Sequence, residues 1–401
     1  MAITDKKTGV WGLDQTYNKI NQGSIWSYNT TANLYTWGRN EFGQLGLNQA
    51  TSLSISSPTQ VPGSWGANDG MTVSGRKVSA RNHVLNIKGD GTLWTWGSNN
   101  KGQLGQSSIV NYSSPIQIGS DTNWSSLGDL EQYAISTAIK TDGTLWVWGD
   151  GDSKQQYGAM VDRSSPTQVP GTTWSASFTG KDHIGGIKTD GTLWLWGTNK
   201  EGQLGQNDTT DSYFPLQVPG TTWVSVTGTS KSTLATKSDG TLWSWGHNDY
   251  SQLGHNQPEN SKYSSPVQIP GTTWTSKITS SSTNYVLAIK TDGTMWGWGR
   301  NWAGNLGDNT QITRSSPTQI PGSTWRYVAA GNYLQSFAIK TDGTMWSWGN
   351  NRYGALANNG SHPTGTPGND GVSSPTQIPG TWDTVIGAGG ADNGAVALKS
   401  A

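Results

Sequence analysis

Residues 188–205 read KTDGTLWLWGTNKEGQLG, and most of this string returns along the chain. KGDGTLWTWG begins at Lys88, KTDGTLWVWG at Lys140, KSDGTLWSWG at Lys237, KTDGTMWGWG at Lys290 and KTDGTMWSWG at Lys340. A first copy, ANLYTWGRNEFGQLG from Ala32, has the second half without the Lys-x-Asp-Gly-Thr front. The Trp before the repeated Gly falls at Trp37, Trp96, Trp148, Trp196, Trp245, Trp298 and Trp348, spaced 59, 52, 48, 49, 53 and 50 residues. A proline follows each one, at Pro58, Pro115, Pro166, Pro215, Pro266, Pro317 and Pro375, usually within Ser-Ser-Pro-x-Gln. A further Trp follows each proline, at Trp65, Trp124, Trp174, Trp223, Trp274, Trp325 and Trp382. Three independent markers therefore agree on seven units.

Each unit reads as short strands. Ala288-Ile289-Lys290 ends one strand, and Asp-Gly signals a hairpin whose central residues both take positive φ. Thr294–Trp298 then alternates, with Trp296 and Trp298 on one face. The residue between the paired Trp varies (Thr95, Val147, Leu195, Ser244, Gly297, Ser347), which predicts looser packing there and a core on the Trp face. Gly-Gln-Leu-Gly reads as a tight loop with one buried Leu, and the proline-flanked segment as an outer strand. No helical apolar period appears in the repeats. Units of this length, each with several strands, predict an all-β seven-bladed propeller over 31–401, with 1–30 as an N-terminal docking extension. Ala397-Leu398-Lys399 near the chain end matches the strand missing from the first copy. It is expected to pair with Leu34–Trp37 and close the ring, which removes two open sheet edges.

Composition narrows the function. The 401 residues include 54 Gly, 23 Trp and no Cys, with 26 acidic and 26 basic side chains. That balance gives no electrostatic footprint for nucleic acid or an anionic membrane. There is no apolar run long enough for a bilayer span, and MAITDKKTGVWG lacks the apolar core of a secretory signal. Without Cys there are no disulfides and no thiolate metal site.

The string W-G-x-N-x-x-G-Q-L-G, preceded by A-x-K-x-D-G-T, resembles the regulator-of-chromosome-condensation (RCC-type) repeat over roughly residues 31–401. The resemblance implies a seven-bladed propeller with a split closing blade. Its founding member is a nucleotide-exchange factor for a small GTPase that binds chromatin; other members are secreted bacterial propellers, one of which inhibits β-lactamase. Binding rather than chemistry is what they share, and fold alone assigns neither. A basic tail is missing here, since the first thirty residues contain only Lys6, Lys7 and Lys19. His83 and His183 occupy a position where the family often has His; other copies have Ile135, Ser232, Tyr285 and Gln335, so the position reads as structural.

Candidate chemistry is sparse. Asp142, Asp190, Asp239, Asp292 and Asp342 read as turn residues beside Gly rather than a carboxylate array. His83, His183, His247, His255 and His362 show no metal-ligand spacing. No nucleophile elbow or phosphate loop appears. The expectation is a non-enzyme with no catalytic residues, metal or cofactor. Departures from the repeat are better pointers: DGDSKQQYGAM at 150–160, an insertion at 357–374, and Trp302, which stands where other loops carry Glu41-Phe42, Lys101, Glu201 or Tyr250. Tyr157, Tyr250, Trp302 and His362 are the candidate ligand-facing residues, although simple loop packing is the plainer reading of Trp302.

Residues 1–30 stand apart from the repeat. Leu13, Tyr17 and Ile20 fit one face of a short helix, flanked by Trp11, Ile25 and Trp26, and these six are the candidate docking residues. KKTGVWGLDQTYNKINQGSIW resembles the N-termini of virion-associated proteins of marine tailed bacteriophages. The resemblance implies a virion protein assembled in the bacterial cytoplasm and released by lysis. Its decoration, fibre or adhesion role would use other virion proteins or copies of itself as partners, with a host-surface glycan or protein as a further ligand. The alternatives are a free bacterial propeller that binds or inhibits a protein, and a GTPase-exchange factor.

Overall fold

A computed structural model describes residues 31–49, 54–66, 76–130, 134–152, 157–158, 160–331, 333–359, 371–388 and 394–400, all within the unit Thr31–Ala401. The six candidate docking residues and His362 lie outside the described residues.

Seven sheets follow one another along the chain, antiparallel except that a two-residue bridge from the third blade, Asp129–Leu130, pairs in parallel with the inner strand of the fourth. In the fourth blade the strands run Trp174–Thr179, His183–Lys188, Leu193–Gly197 and Ser212–Gln217, from the innermost to the outer edge. Every outer strand carries its proline, where a missing ladder donor faces no neighbour. The only helical element among the described residues is a single 3-10 turn, Arg352–Gly354.

Closure occurs as the split repeat predicts. Gly394–Ser400 pairs antiparallel with Thr31–Gly38, in a register running from Ala32 opposite Ser400 to Gly38 opposite Gly394. Its other edge pairs with Thr384–Ala388. The last strand is thus a central strand of the first blade, and Leu398 is fully buried there.

Two rings of hydrogen bonds hold neighbouring blades together. The buried repeat Trp donates from its indole Nε1 to a loop carbonyl of the preceding blade, as in Trp96 to Gln44 (3.0 Å), Trp148 to Gln103 (2.8 Å) and Trp298 to Gln252 (2.9 Å). Trp37 donates to Ala355 at 2.8 Å, which carries this ring across the closure. The second ring runs outside it. A residue with left-handed φ within each long loop donates its backbone N–H to the next blade's outer strand, for example Asn207 to Ser264 (2.7 Å) and Asn309 to Ser373 (2.8 Å). Asn359 to Ser56, at 3.2 Å, again joins the last blade to the first.

The seven repeat Trp are all 0% exposed, so the Trp face is core. The varying residue between paired Trp is a correction to the sequence reading. Thr95, Val147, Leu195 and Ser244 are also 0% exposed. Variation there reflects exchange of volume with the neighbouring strand, not slack. Leu195 lies opposite Gly185, and Gly297 opposite Leu287. A Cβ on Gly185 would sit 2.2 Å from Leu195 Cδ2, and one on Gly297 would sit 3.0 Å from Leu287 Cδ2. Each pair fills one close-packed space with one large side chain.

The hairpin differs in detail too. Only its Gly has positive φ (Gly143 at 77°), while the Asp side chain stabilises the turn from outside. Asp142 accepts from the backbone N–H and hydroxyl of Thr144, at 3.0 and 2.7 Å. The Thr144 oxygen in turn accepts from Trp146 Nε1. This is a wider turn than the two-residue type that needs positive φ at both centres.

Candidate functional site

Chain direction divides the loops between the two faces of the ring. Asp-Gly hairpins occupy one face. The opposite face carries the long loops between third and outer strands, and these hold most departures from the repeat.

The Asp-Gly face is structural. The Lys that opens each hairpin lies over two Trp rings, as Lys290 does at 4.6 Å from Trp274 and 4.2 Å from Trp296. Lys88, Lys140, Lys188, Lys237 and Lys340 repeat the arrangement. In the first blade Tyr35 replaces the second Trp and packs edge-on against Trp382, 5.4 Å away. Hydrogen bonds from Thr hold Asp142, Asp190, Asp239, Asp292 and Asp342 below the ordinary carboxylate range. Each Asp serves its own turn, as expected from the sequence.

Two His–hydroxyl pairs have the form of a base beside a nucleophile. His83 Nε2 lies 2.7 Å from Ser136 Oγ, and His183 Nε2 lies 2.8 Å from Thr233 Oγ1. Both hydroxyls donate onward to backbone carbonyls, of Gln103 and Gln203. The imidazole is therefore the donor to the hydroxyl, the reverse of base activation. All four side chains are 0% exposed, so no substrate reaches them. Burial drives the pKa of His183 down to about 3. These pairs bridge adjacent blades, in keeping with the structural reading of that position.

Asp150, Asp152 and Asp162, in the irregular third-blade loop, bring carboxylate oxygens within 4.8 Å of one another. An ammonium group already serves this cluster. Lys101, from the second-blade loop, lies 3.5, 2.9 and 3.2 Å from the three carboxylates. Its pKa is raised above the ordinary lysine range, chiefly by Asp152, whereas burial pushes Asp150 up. The cluster joins two blades through a lysine and has the character of an ion network rather than a metal cage.

The candidate ligand-facing residues separate into two groups. Tyr157 is half-buried and meets Phe214 edge-on at 5.2 Å. Phe214 (52% exposed) comes from SYFPLQ, where most outer strands read Ser-Ser-Pro, so two departures from the repeat meet here. Tyr250 and Trp302 meet edge-on at 5.5 Å, so Trp302 packs against a neighbouring loop while 46% of it stays exposed. Alignment on the buried loop Asn moves Trp302 as well: it follows Asn301 as Glu41 follows Asn40 and Asp249 follows Asn248. Tyr250 and Lys101 sit one position later.

Sequence reasoning missed Arg300. Its guanidinium carbon lies 3.6 Å from the Trp302 ring centre and 4.9 Å from that of Tyr250. Burial lowers its pKa, with Tyr250 opposing the shift.

The RCC1-like domain model matches residues 29–331, and the regulator of chromosome condensation (RCC1) repeat model matches 325–355. The chain belongs to the RCC1-like propeller family. Human E3 ubiquitin-protein ligase HERC2 is 27% identical over 186 residues, which is 44% of this chain and 4% of that protein. The Ultraviolet-B receptor UVR8 of Arabidopsis thaliana is 26% identical over 143 residues, 33% of this chain and 29% of the receptor. The matches therefore span small parts of these relatives. Prp20p of Saccharomyces cerevisiae, studied for binding to Gsp1p and histones, superposes with a TM-score of 0.76 at 20% identity, covering 92% of this chain and 91% of that one. At that identity the likeness supports the RCC1-like fold alone.

Proposed function

We propose that this RCC1-like propeller is a non-enzymatic binding protein that presents its long-loop face to a ligand or partner. We propose further that it does so as a structural component of a bacteriophage particle, docked through residues 1–30. The observation that carries the binding reading is the contrast between the two faces. One repeats the same Lys–Trp and Asp–Thr contacts from blade to blade. The other displays side chains that no repeat requires: Trp302, Phe214, and Met160 and Val161, which are 53% and 51% exposed. A rigid scaffold with variable exposed loops is the usual physical arrangement for recognition. Binding of Gsp1p and histones by Prp20p is support by family likeness.

The particle reading rests on the N-terminal sequence. Trp11, Leu13, Tyr17, Ile20, Ile25 and Trp26 supply apolar surface that a closed ring does not need for its own edges. Burial of half of them against another chain would contribute several kcal/mol, at about 1.5–3 kcal/mol each. Deletion of residues 2–28 tests this. The truncated propeller should remain folded and soluble while incorporation into particles, read by mass spectrometry of purified virions, is lost. Unfolding of the truncated chain would mean that the segment completes the propeller and does not dock.

A free bacterial propeller that binds a protein is the second reading. It is favoured by the Tyr157–Phe214 contact, which extends an apolar surface across two blades.

A further inference from the structure

The loop face can be read by comparing each blade with its rotational equivalents. The residue before the buried loop Asn is basic in three blades: Arg39, His247 and Arg300. In the first blade Glu41, just past Asn40, pairs with Arg39 at 2.9 Å. In the fifth blade Asp249, just past Asn248, contacts His247. In the sixth blade the same position holds Trp302. Here the basic residue is present and an indole stands where the first and fifth blades have an acid.

Arg300 gains no substitute acid. Its Nε is buried without an acceptor, and no ion pair to it forms among the described residues. Asp308 of the same loop is engaged by Arg314 at 2.7 Å, and Asp249 of the adjacent loop by His247 and Lys231. The loop backbone is also fixed. Asn305 Nδ2 donates to the Arg300 carbonyl at 2.7 Å, and Asn301 Oδ1 accepts from Leu306 N–H at 2.9 Å. A positive group without a carboxylate thus lies against a half-exposed aromatic ring on a pre-organised loop.

We propose that Trp302, Arg300 and Tyr250 form a subsite for a carboxylated sugar. The C–H face of the pyranose stacks on Trp302, and the sugar carboxylate accepts hydrogen bonds from Arg300, in the role Glu41 plays for Arg39. Charge complementarity selects an anionic group, because a partly buried guanidinium gains most from one. Size selects a sugar over a protein. A protein interface needs roughly 800 Å² from each partner with an apolar centre. Here the two loops, 248–261 and 301–313, offer only Trp302 and Ile312 as large exposed apolar side chains amid Asn, Asp, Ser, Thr and Gln. The inference deepens the loop-face reading and rests on it; it does not depend on the particle.

The test is saturation-transfer NMR and calorimetry on the full chain. Trigalacturonate and 3′-sialyllactose are the acidic probes, with galactotriose and lactose as their neutral matches. At least one acidic probe should bind, with its neutral match about tenfold weaker or worse. Trp302→Ala and Arg300→Leu should each weaken that binding by about tenfold or more, with Arg300→Lys retaining part of it. Equal binding of acidic and neutral sugars, indifference to Trp302→Ala, or no binding of either acidic probe overturns the proposal. Binding of an Asp/Glu-rich peptide through these residues, with both sugars silent, assigns the surface to a protein and also overturns it. Trp302→Ala protein should still enter particles, so a failed sugar site and a failed particle reading are told apart.

Discussion

The closing strand is the feature on which the whole ring depends, and removing it gives a sharp expectation. Deleting residues 391–401 takes the central strand out of the first blade. Thr31–Gly38 and Thr384–Ala388 both lose their partner along one edge. Val396 and Leu398, at 2% and 0% exposure, leave the core. At about 1.5–3 kcal/mol for each large buried side chain, those two residues alone contribute about 3–6 kcal/mol. That is comparable with the whole stability margin of an ordinary domain, about 5–15 kcal/mol, before any ladder hydrogen bond is counted. The truncated chain should therefore melt far earlier in urea, followed by far-UV circular dichroism. It should also associate through its open edges, seen as early elution in size-exclusion chromatography. A synthetic peptide of sequence ADNGAVALKSA, residues 391–401, added in trans should restore both properties by refilling the gap. An unchanged urea midpoint and a monomeric profile for the truncated chain would refute the reasoning.

Three further expectations follow from the packing. Trp196→Ala empties a fully buried site and should cost about 3–5 kcal/mol in urea unfolding, whereas the half-exposed Trp302→Ala should cost under about 1 kcal/mol; equal losses would contradict the assigned burial. Gly297→Leu should destabilise by about 1–3 kcal/mol because Leu287 already fills the shared space, and a neutral result would restore the idea of slack there. His183 titrates near 3 when folded, against an ordinary value of 6.5, so the unfolded chain binds more protons between those limits. Its contribution is present above pH 6.5 and is lost as pH falls toward 3, at ~1.4 kcal/mol per pKa unit. His183→Gln should flatten the fall in stability between about pH 6 and pH 4 relative to the parent; parallel curves would show that His183 is not the group responsible.

What could be read in the sequence was what repeats. Seven Trp, seven prolines and a first unit without its front gave the blade count and the closure, because each marker recurs at a fixed place in one structural unit. Two structural details escaped for related reasons. The residue between paired Trp looked unconstrained because its constraint lies on the next strand: Gly185 permits Leu195, and Leu287 requires Gly297. Asp-Gly named a hairpin but not its width, since the Asp side chain rather than its φ builds the turn. In both cases the deciding partner is invisible to a periodicity taken along a single strand.

The loops teach the opposite lesson, since their information lies in departures from the repeat. Trp302 and Tyr157 stood out by residue type, but Arg300 did not, because Arg39 occupies the same position in the first blade. The signal lay in a pair: a base retained at one position and its acid lost two residues later. A ring of near-identical blades supplies its own controls for such a comparison. Glu41 shows what Arg39 contacts when an acid is present, and Trp302 shows the same kind of cation against an indole. Global stability and fold have no need of that replacement, since the first blade packs well with the ion pair. Stacked on Arg300 on one side and 46% exposed, the Trp302 indole leaves ring surface open to a ligand, and that open surface beside a guanidinium is what the proposed subsite uses.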